Sequence, residues 1–149
     1  RRQRQMCIRD RHKNTHHIGL GYIKGYGLKT GAVATSISHD SHNIIVVGTN
    51  EEDMAFAANH IVQNHGGITV VEDGQVRSDV LLAIAGIMSD DSLVNVNRDL
   101  EAAKAAAYAL GVSEGIDPFM TLSFMALPVI PTLRITTRGV FDVGSQRYV

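Results

Sequence analysis

The stretch Asn43–Gly48, NIIVVG, has no polar side chain between its first and last residues. A strand sends alternate side chains to opposite faces, so four aliphatics in a row must be buried on both. This segment is therefore expected to be a central strand. Ala32–Ser38, AVATSIS, reads as a second strand close before it, and Met6–Asp10, MCIRD, as a short one further upstream. Aliphatic residues and alanine must fill the core, because aromatics are 5% of the chain and there is no Trp.

Between the upstream strands lies a glycine-rich segment, with Gly19, Gly21, Gly25, Gly27 and Gly31. It reads GxGxxxG twice, sharing Gly25. A dinucleotide loop would need GxGxxG between a strand and a helix. Strand or bulge backbone in close approach to another segment is the expected structure. After NIIVVG, Thr49 with Glu52 three residues on has the spacing of a capping box. A helix follows with Met54, Ala58, Ile61 and His65 on one face, ended by Gly66 and Gly67. ITVVE and QVRSDVLLA flank Asp73-Gly74, which suits the positive φ angles of a type I′ hairpin turn. The longest helix is expected to start near Asp90 or Asp91, with Leu93, Val96, Leu100, Ala103, Ala107 and Leu110 on its inner face and Gly111 as its stop. Asp117-Pro118 opens a short helix, FMTLSFMAL, closed by Pro128 and Pro131. A last small hairpin turns around Arg138-Gly139. The order β-β-β-α-β-β-α-α-β-β does not alternate regularly. The fold class expected is α+β, with a mixed, largely antiparallel sheet, two main helices and one short helix. With 149 residues and no internal linker, residues 1–149 are read as one domain.

Hydrophobic residues at 44% and charged residues at 19% describe an ordinary globular chain. A net charge of −1 gives no electrostatic case for nucleic acid, and Arg1–Gln5, RRQRQ, is read as a solvated terminal tail. Cys7 is the sole cysteine, which rules out an internal disulfide and a thiolate metal cage, and a reducing, cytoplasmic setting is expected. No stretch approaches the roughly 20 apolar residues of a membrane span, and no signal peptide is expected from these residues. A start at Arg1 without Met is expected of a piece of a longer protein or of a processed one.

Ser36–Ile45, SISHDSHNII, concentrates polar chemistry between the two best strands. His39 and His42 are three residues apart and would point oppositely on a strand, but can converge in a tight turn. A catalytic metal needs a third ligand, such as His12, His16 or His17. Neither HExxH nor CxxC occurs, and neither does the HxE with PCxxC of zinc nucleobase deaminases. Ser36, Ser38 and Ser41 lie in no G-x-S-x-G elbow. A polar turn with Asx-type hydrogen bonds is the plainest reading. Two imidazoles beside a carboxylate and an amide could also bind a polar heterocycle or shuttle protons near neutral pH. Arg11–His17, RHKNTHH, is a second polar cluster that by itself signals a loop.

The segment from Gly19 to Ile61, GLGYIKGYGLKTGAVATSISHDSHNIIVVGTNEEDMAFAANHI, resembles the C-terminal domain of bacterial adenine deaminases. GGITVVEDGQV, IAGIMSDD and DPFMTLSFMALPVIP resemble later blocks of that domain in the same order, and the likeness runs from Met6 to Val149. One departure is local: the family usually has Thr-Gly-Asn where this chain has Thr15-His16-His17. The resemblance implies an amidohydrolase that converts adenine and water to hypoxanthine and ammonia, using manganese or iron in a binuclear centre held by a (β/α)8 barrel. The barrel's HxH motif is absent from this chain, so no metal is expected on it and the isolated chain is expected to be inactive. Within the full-length enzyme the density of polar groups in this shared motif makes His39, Asp40 and His42 the expected catalytic residues and Ser41 and Asn43 the expected substrate-binding residues. Asp40 or a histidine would move a proton to the leaving ammonia, and Asn43 would bond a ring nitrogen. The partners implied are the enzyme's own barrel, adenine and further copies of itself, with no nucleic acid and no membrane. A non-catalytic assembly domain, packing through FMTLSFMALPVIP, is the alternative, and an independent small-molecule binding domain is a third.

Overall fold

The computed structural model describes residues 3–13 and 15–149. Its strands and helices follow in the order β1 (Gln3–Arg9), β2 (Ile18–Lys24), β3 (Ala32–Thr35), β4 (Ile44–Gly48), α1 (Glu51–Gln63), β5 (Gly67–Glu72), β6 (Gln75–Leu81), α2 (Leu93–Ala109), α3 (Pro118–Met125), β7 (Leu133–Thr136), β8 (Gly139–Asp142) and β9 (Arg147–Tyr148). This is an α+β fold. A six-stranded sheet runs β2-β1-β4-β3-β5-β6, and a three-stranded sheet runs β7-β8-β9. Every strand pairing is antiparallel.

The NIIVVG strand is β4, and it lies inside the sheet with β1 and β3 on its two sides. Its alternation divides the core in two. Ile45 and Val47 join Met6, Ile8, Val33 and Val70 under α2, α3 and β7. Ile44 and Val46 join Ala32, Ala34 and Val71 under Met54, Ala57 and Ile61 of α1. A strand buried on both faces thus forces a helical layer on each side of the sheet. The small sheet sits on β2 because Gly19 and Gly21 leave room for it. A Cβ at Gly19 would overlap the carbonyl of Thr136, and one at Gly21 would lie 2.6 Å from Cδ1 of Ile135. The glycine-rich segment is therefore strand with close backbone approach, as its composition predicts.

Several expectations need correction. Gln3, Arg4 and Gln5 are not a solvated tail. They pair with Lys24, Ile23 and Tyr22 as the start of β1, while Arg1 and Arg2 lie outside the described residues. Four strands, not three, precede α1, and β9 adds a strand at the end. The N-cap of α1 is Asn50, one residue after Thr49. Its Oδ1 accepts from Asp53 N at 2.7 Å and its Nδ2 donates to Asp53 Oδ2 at 2.9 Å. Thr49 is instead held to Gly31 O by its N–H at 3.0 Å and its hydroxyl at 3.3 Å. His65 lies beyond α1, exposed and with φ 60°, and Ala57 rather than Ala58 is fully buried. α2 begins at Leu93 behind an Ser92 cap, and Leu93 is 83% exposed. The turn at Asp73-Gly74 has φ angles of 52° and 67°, which is the conformation that a type I′ hairpin requires. Asp117 caps α3 by accepting from Phe119 N at 3.0 Å and Met120 N at 2.8 Å, with Pro118 next. Such a cap contributes about 1 kcal/mol to the helix it starts.

Candidate functional site

The polar cluster occupies the loop Ser36–Asn43 between β3 and β4. Its first part is structural. The Ser36 hydroxyl is buried, donates to Gly86 O at 2.5 Å and accepts from Gly67 N at 2.8 Å. Ile37 N donates to Thr35 Oγ1 at 3.0 Å, and Ser38 is buried. His42 N then donates to Ser38 O at 2.7 Å, closing a turn around His39, Asp40 and Ser41. Those three residues are exposed, and His42 and Asn43 are half-buried.

Both flanks of this turn are held from far along the chain. On one side, His39 N donates to Ser123 O at 3.1 Å and to Ser123 Oγ at 3.0 Å, at the end of α3. The His39 imidazole lies against Phe124, with ring centroids 5.6 Å apart and planes 20° from parallel. On the other side, Asn43 Oδ1 accepts from Arg11 N at 3.2 Å. The Arg11 guanidinium donates to Ala85 O at 2.6 Å and, at 3.4 Å, to the carbonyls of His42 and His65. His12 Nε2 lies 3.0 Å from His42 O. Partial burial lowers the proton affinity of Arg11 below its ordinary value, but a guanidinium stays charged in proteins. Beside it opens a cleft of about 580 Å³, lined among others by Arg9, Asp10, Arg11, His16, Ile44 and His65.

The structure therefore brings His39, Asp40, Ser41, His42 and Asn43 into one tight turn and gives each different surroundings. His39 is stacked, and Asp40 enters no salt bridge among the described residues. Ser41 Oγ lies 3.4 Å from Ser38 Oγ. His42 is in the left-handed region at φ 48°, and its Nδ1 is enclosed without a hydrogen-bond partner. A backbone held in such a region and a buried unpaired nitrogen each carry a free-energy cost, and both are concentrated where function needs a set geometry. Asn43 is half spent on Arg11. His16 and His17 stay exposed and are not drawn into the turn. Among the described residues no group of three or more His, Cys, Asp or Glu side chains could hold a metal ion, so the donor set does not fit a metal centre on this chain. Nothing in the residue pattern marks Arg11, Ser123 and Phe124 as supports for the turn. The only available signal was that DPFMTLSF and SHDSHNI both belong to the stretches that carry the family resemblance.

This α+β domain, with a clamped polar turn projecting from one end of its sheet, can be placed among known proteins. Residues 1–147 match the family described as the adenine deaminase C-terminal domain, and the chain belongs to that family. It is 47% identical over 145 residues to the adenine deaminase of Bacillus subtilis and 48% identical over 146 residues to that of Listeria monocytogenes serotype 4b. It is 46% identical over 141 residues to adenine deaminase 2 of Carboxydothermus hydrogenoformans. These alignments cover 97%, 97% and 95% of this chain and 25% of each relative. The chain thus spans about a quarter of the length of the relatives it matches.

Proposed function

We propose that this chain works as the C-terminal part of an enzyme that deaminates adenine to hypoxanthine and ammonia, with the Ser36–Asn43 turn closing the substrate pocket. The observation that carries this reading is the turn itself. It is tied at both flanks by distant segments, yet it spends almost nothing on its own outward side chains, His39, Asp40 and Ser41. Side chains held in that way are set to meet a group outside this chain. In this reading Asp40, or His39 or His42, carries a proton to the departing amine, and Asn43 and Ser41 bond the ring. The manganese or iron that the family resemblance implies would supply a polarised water. Its ligands would belong to a barrel that is not part of these residues, since the donor set here does not fit one. The isolated chain is then inactive with adenine whatever metal is added. A cytoplasmic setting accords with the lone Cys7, whose thiol burial pushes up to about 11. No helix among the described residues is long and apolar enough to cross a membrane.

The test is a chimera in which this chain replaces the matching quarter of the Bacillus subtilis relative. His39→Ala, Asp40→Asn and His42→Ala are made one at a time, and hypoxanthine formation is followed. A group that moves a proton in the reaction contributes on the order of 10²–10⁴-fold. At least one variant is expected to lose that much kcat while keeping the melting temperature of the parent. Near-parental turnover in all three would reduce the turn to a structural element.

A second reading, assembly, has its own observation. Met120 is 59% and Val129 70% exposed in the FMTLSFMALPVIP segment, and Ile18, Leu20 and Tyr22 stand exposed along one face of β2. Apolar surface of this kind suits packing against the barrel or another copy. Light scattering of the isolated chain separates the two: a monomer at high concentration assigns these surfaces to the barrel.

A further inference from the structure

We propose that Ser123 and Phe124, at the end of α3, are positioning residues for the His39 imidazole. This rests on the reading that the Ser36–Asn43 turn faces the reacting centre. α3 is a platform fixed independently of the turn. Asp117 caps it, Phe119 and Leu122 are 6% and 0% exposed in the core, and the Tyr26 hydroxyl donates to Pro118 O at 3.0 Å. Only the last turn of the helix reaches the polar cluster. Ser123 accepts the His39 N–H with both its carbonyl and its hydroxyl oxygen, which fixes where the His39 Cα lies. Phe124 then limits where the imidazole can go. Phe124 is 38% exposed and stands outside the core cluster, and among the described residues its one aromatic partner is His39 in a near-parallel stack. An exposed imidazole without such a wall samples several rotamers, and each unproductive one subtracts from the fraction of enzyme able to react.

A purely structural contact would show itself in stability and leave the chemistry of the folded protein alone. The distinguishing experiment uses the same chimera with Phe124→Leu, Phe124→Tyr, Ser123→Ala, His39→Ala and the pair His39→Ala with Phe124→Leu. The loss of one aromatic pair scales to a fall in kcat of about two- to tenfold for Phe124→Leu. The KM for adenine should stay within about twofold, because ground-state binding is not the target. Phe124→Tyr keeps the ring and should restore the parental kcat. Ser123→Ala should fall in the same direction by a smaller factor, since the carbonyl still accepts the His39 N–H. In the His39→Ala background Phe124→Leu should add nothing, because its effect runs through a group already removed. Full kcat in Phe124→Leu beside a crippled His39→Ala would overturn the positioning role and leave the turn's catalytic reading standing. Additive losses in the double variant would overturn it too, by showing that Phe124 acts elsewhere. A harmless His39→Ala would overturn this role, while the catalytic reading of the turn would still be decided by Asp40→Asn and His42→Ala. If Phe124→Leu melts early, the Phe124→Tyr and Ser123→Ala kinetics decide.

Discussion

The β3–β4 loop, Ser36–Asn43, and the β1–β2 loop, Asp10–His17, carry two and three histidines and would be hard to rank by composition. Both expose imidazoles to solvent. They differ in what holds their backbones. The first is bonded to residues 84, 50 and 32 positions away, at Ser123, Gly86 and Arg11. The second divides at its middle. Arg11 and His12 reach across to the first loop, while Thr15–His17 is tied by Asp10, five residues from Thr15. Anchors from distant segments fix a loop relative to the whole fold, whereas local ones fix it only relative to itself. Exposure therefore does not separate the two clusters, and long-range anchoring does; the proposed function assigns work to the anchored one.

The largest effect that would break this contrast is at Arg11, which belongs to one loop and serves the other. Arg11→Met keeps the apolar stem and removes the guanidinium, leaving the Ala85 carbonyl without its 2.6 Å donor. The site is only partly shielded, so water recovers some of the loss, and destabilisation of about 1–2 kcal/mol is expected. Thermal unfolding should show a fall of several degrees, with faster amide exchange at His42 and Asn43. An unchanged melting temperature would mean that the first loop is no better anchored than the second.

Much of this architecture is legible in the residues, and the failures have physical causes. Four aliphatics in a row gave a strand buried on both faces, and the two core clusters split along it. Asp73-Gly74 and Asp117-Pro118 were readable because each fixes local torsions or donors without help from elsewhere. The α1 cap slipped by one residue because Thr49/Glu52 and Asn50/Asp53 have the same spacing. The choice is made by Gly31, whose carbonyl takes Thr49 out of contention. Leu93 fits the periodicity of α2, yet burial in that helix is set where Ala103 and Ala107 let it approach closely. Gln3–Gln5 carry no strand signal, since their order comes from backbone pairing with β2. The turn's own residues announced themselves by polarity. Arg11, Ser123 and Phe124 did not, because each contact joins segments that no periodicity links.

A smaller effect tests the local half of the second loop. The Thr15 hydroxyl donates to Asp10 Oδ2 at 2.6 Å and the Thr15 N–H at 3.0 Å, and these bonds hold the Asp10 carboxyl down at about 2. Its value is depressed in the folded state, so its contribution to stability is present above the unfolded value of 3.8 and is lost as pH falls through about 2. Asp10 is only partly covered, so solvent screens this contribution heavily. In an acid titration followed by NMR, the Thr15 amide should move with a midpoint near 2 and the His39 amide should not follow it. A common midpoint would show that the two loops are coupled and not separately held.

The smallest effect lies at His16, where the family resemblance expects glycine and the backbone has φ 57°. Left-handed torsions cost a residue with a Cβ roughly 1 kcal/mol or more, and glycine instead loses about 0.5–1 kcal/mol of backbone entropy on folding. His16→Gly should therefore stabilise the chain by a few tenths of a kcal/mol, read by urea denaturation, and leave turnover of the chimera unchanged. His42, at φ 48°, offers the matching experiment in the other loop. His42→Gly relieves the same torsion, so its stability should rise or hold, while its imidazole is lost from the clamped turn and turnover should fall. If the two glycine variants changed turnover equally, anchoring would not be what separates the loops.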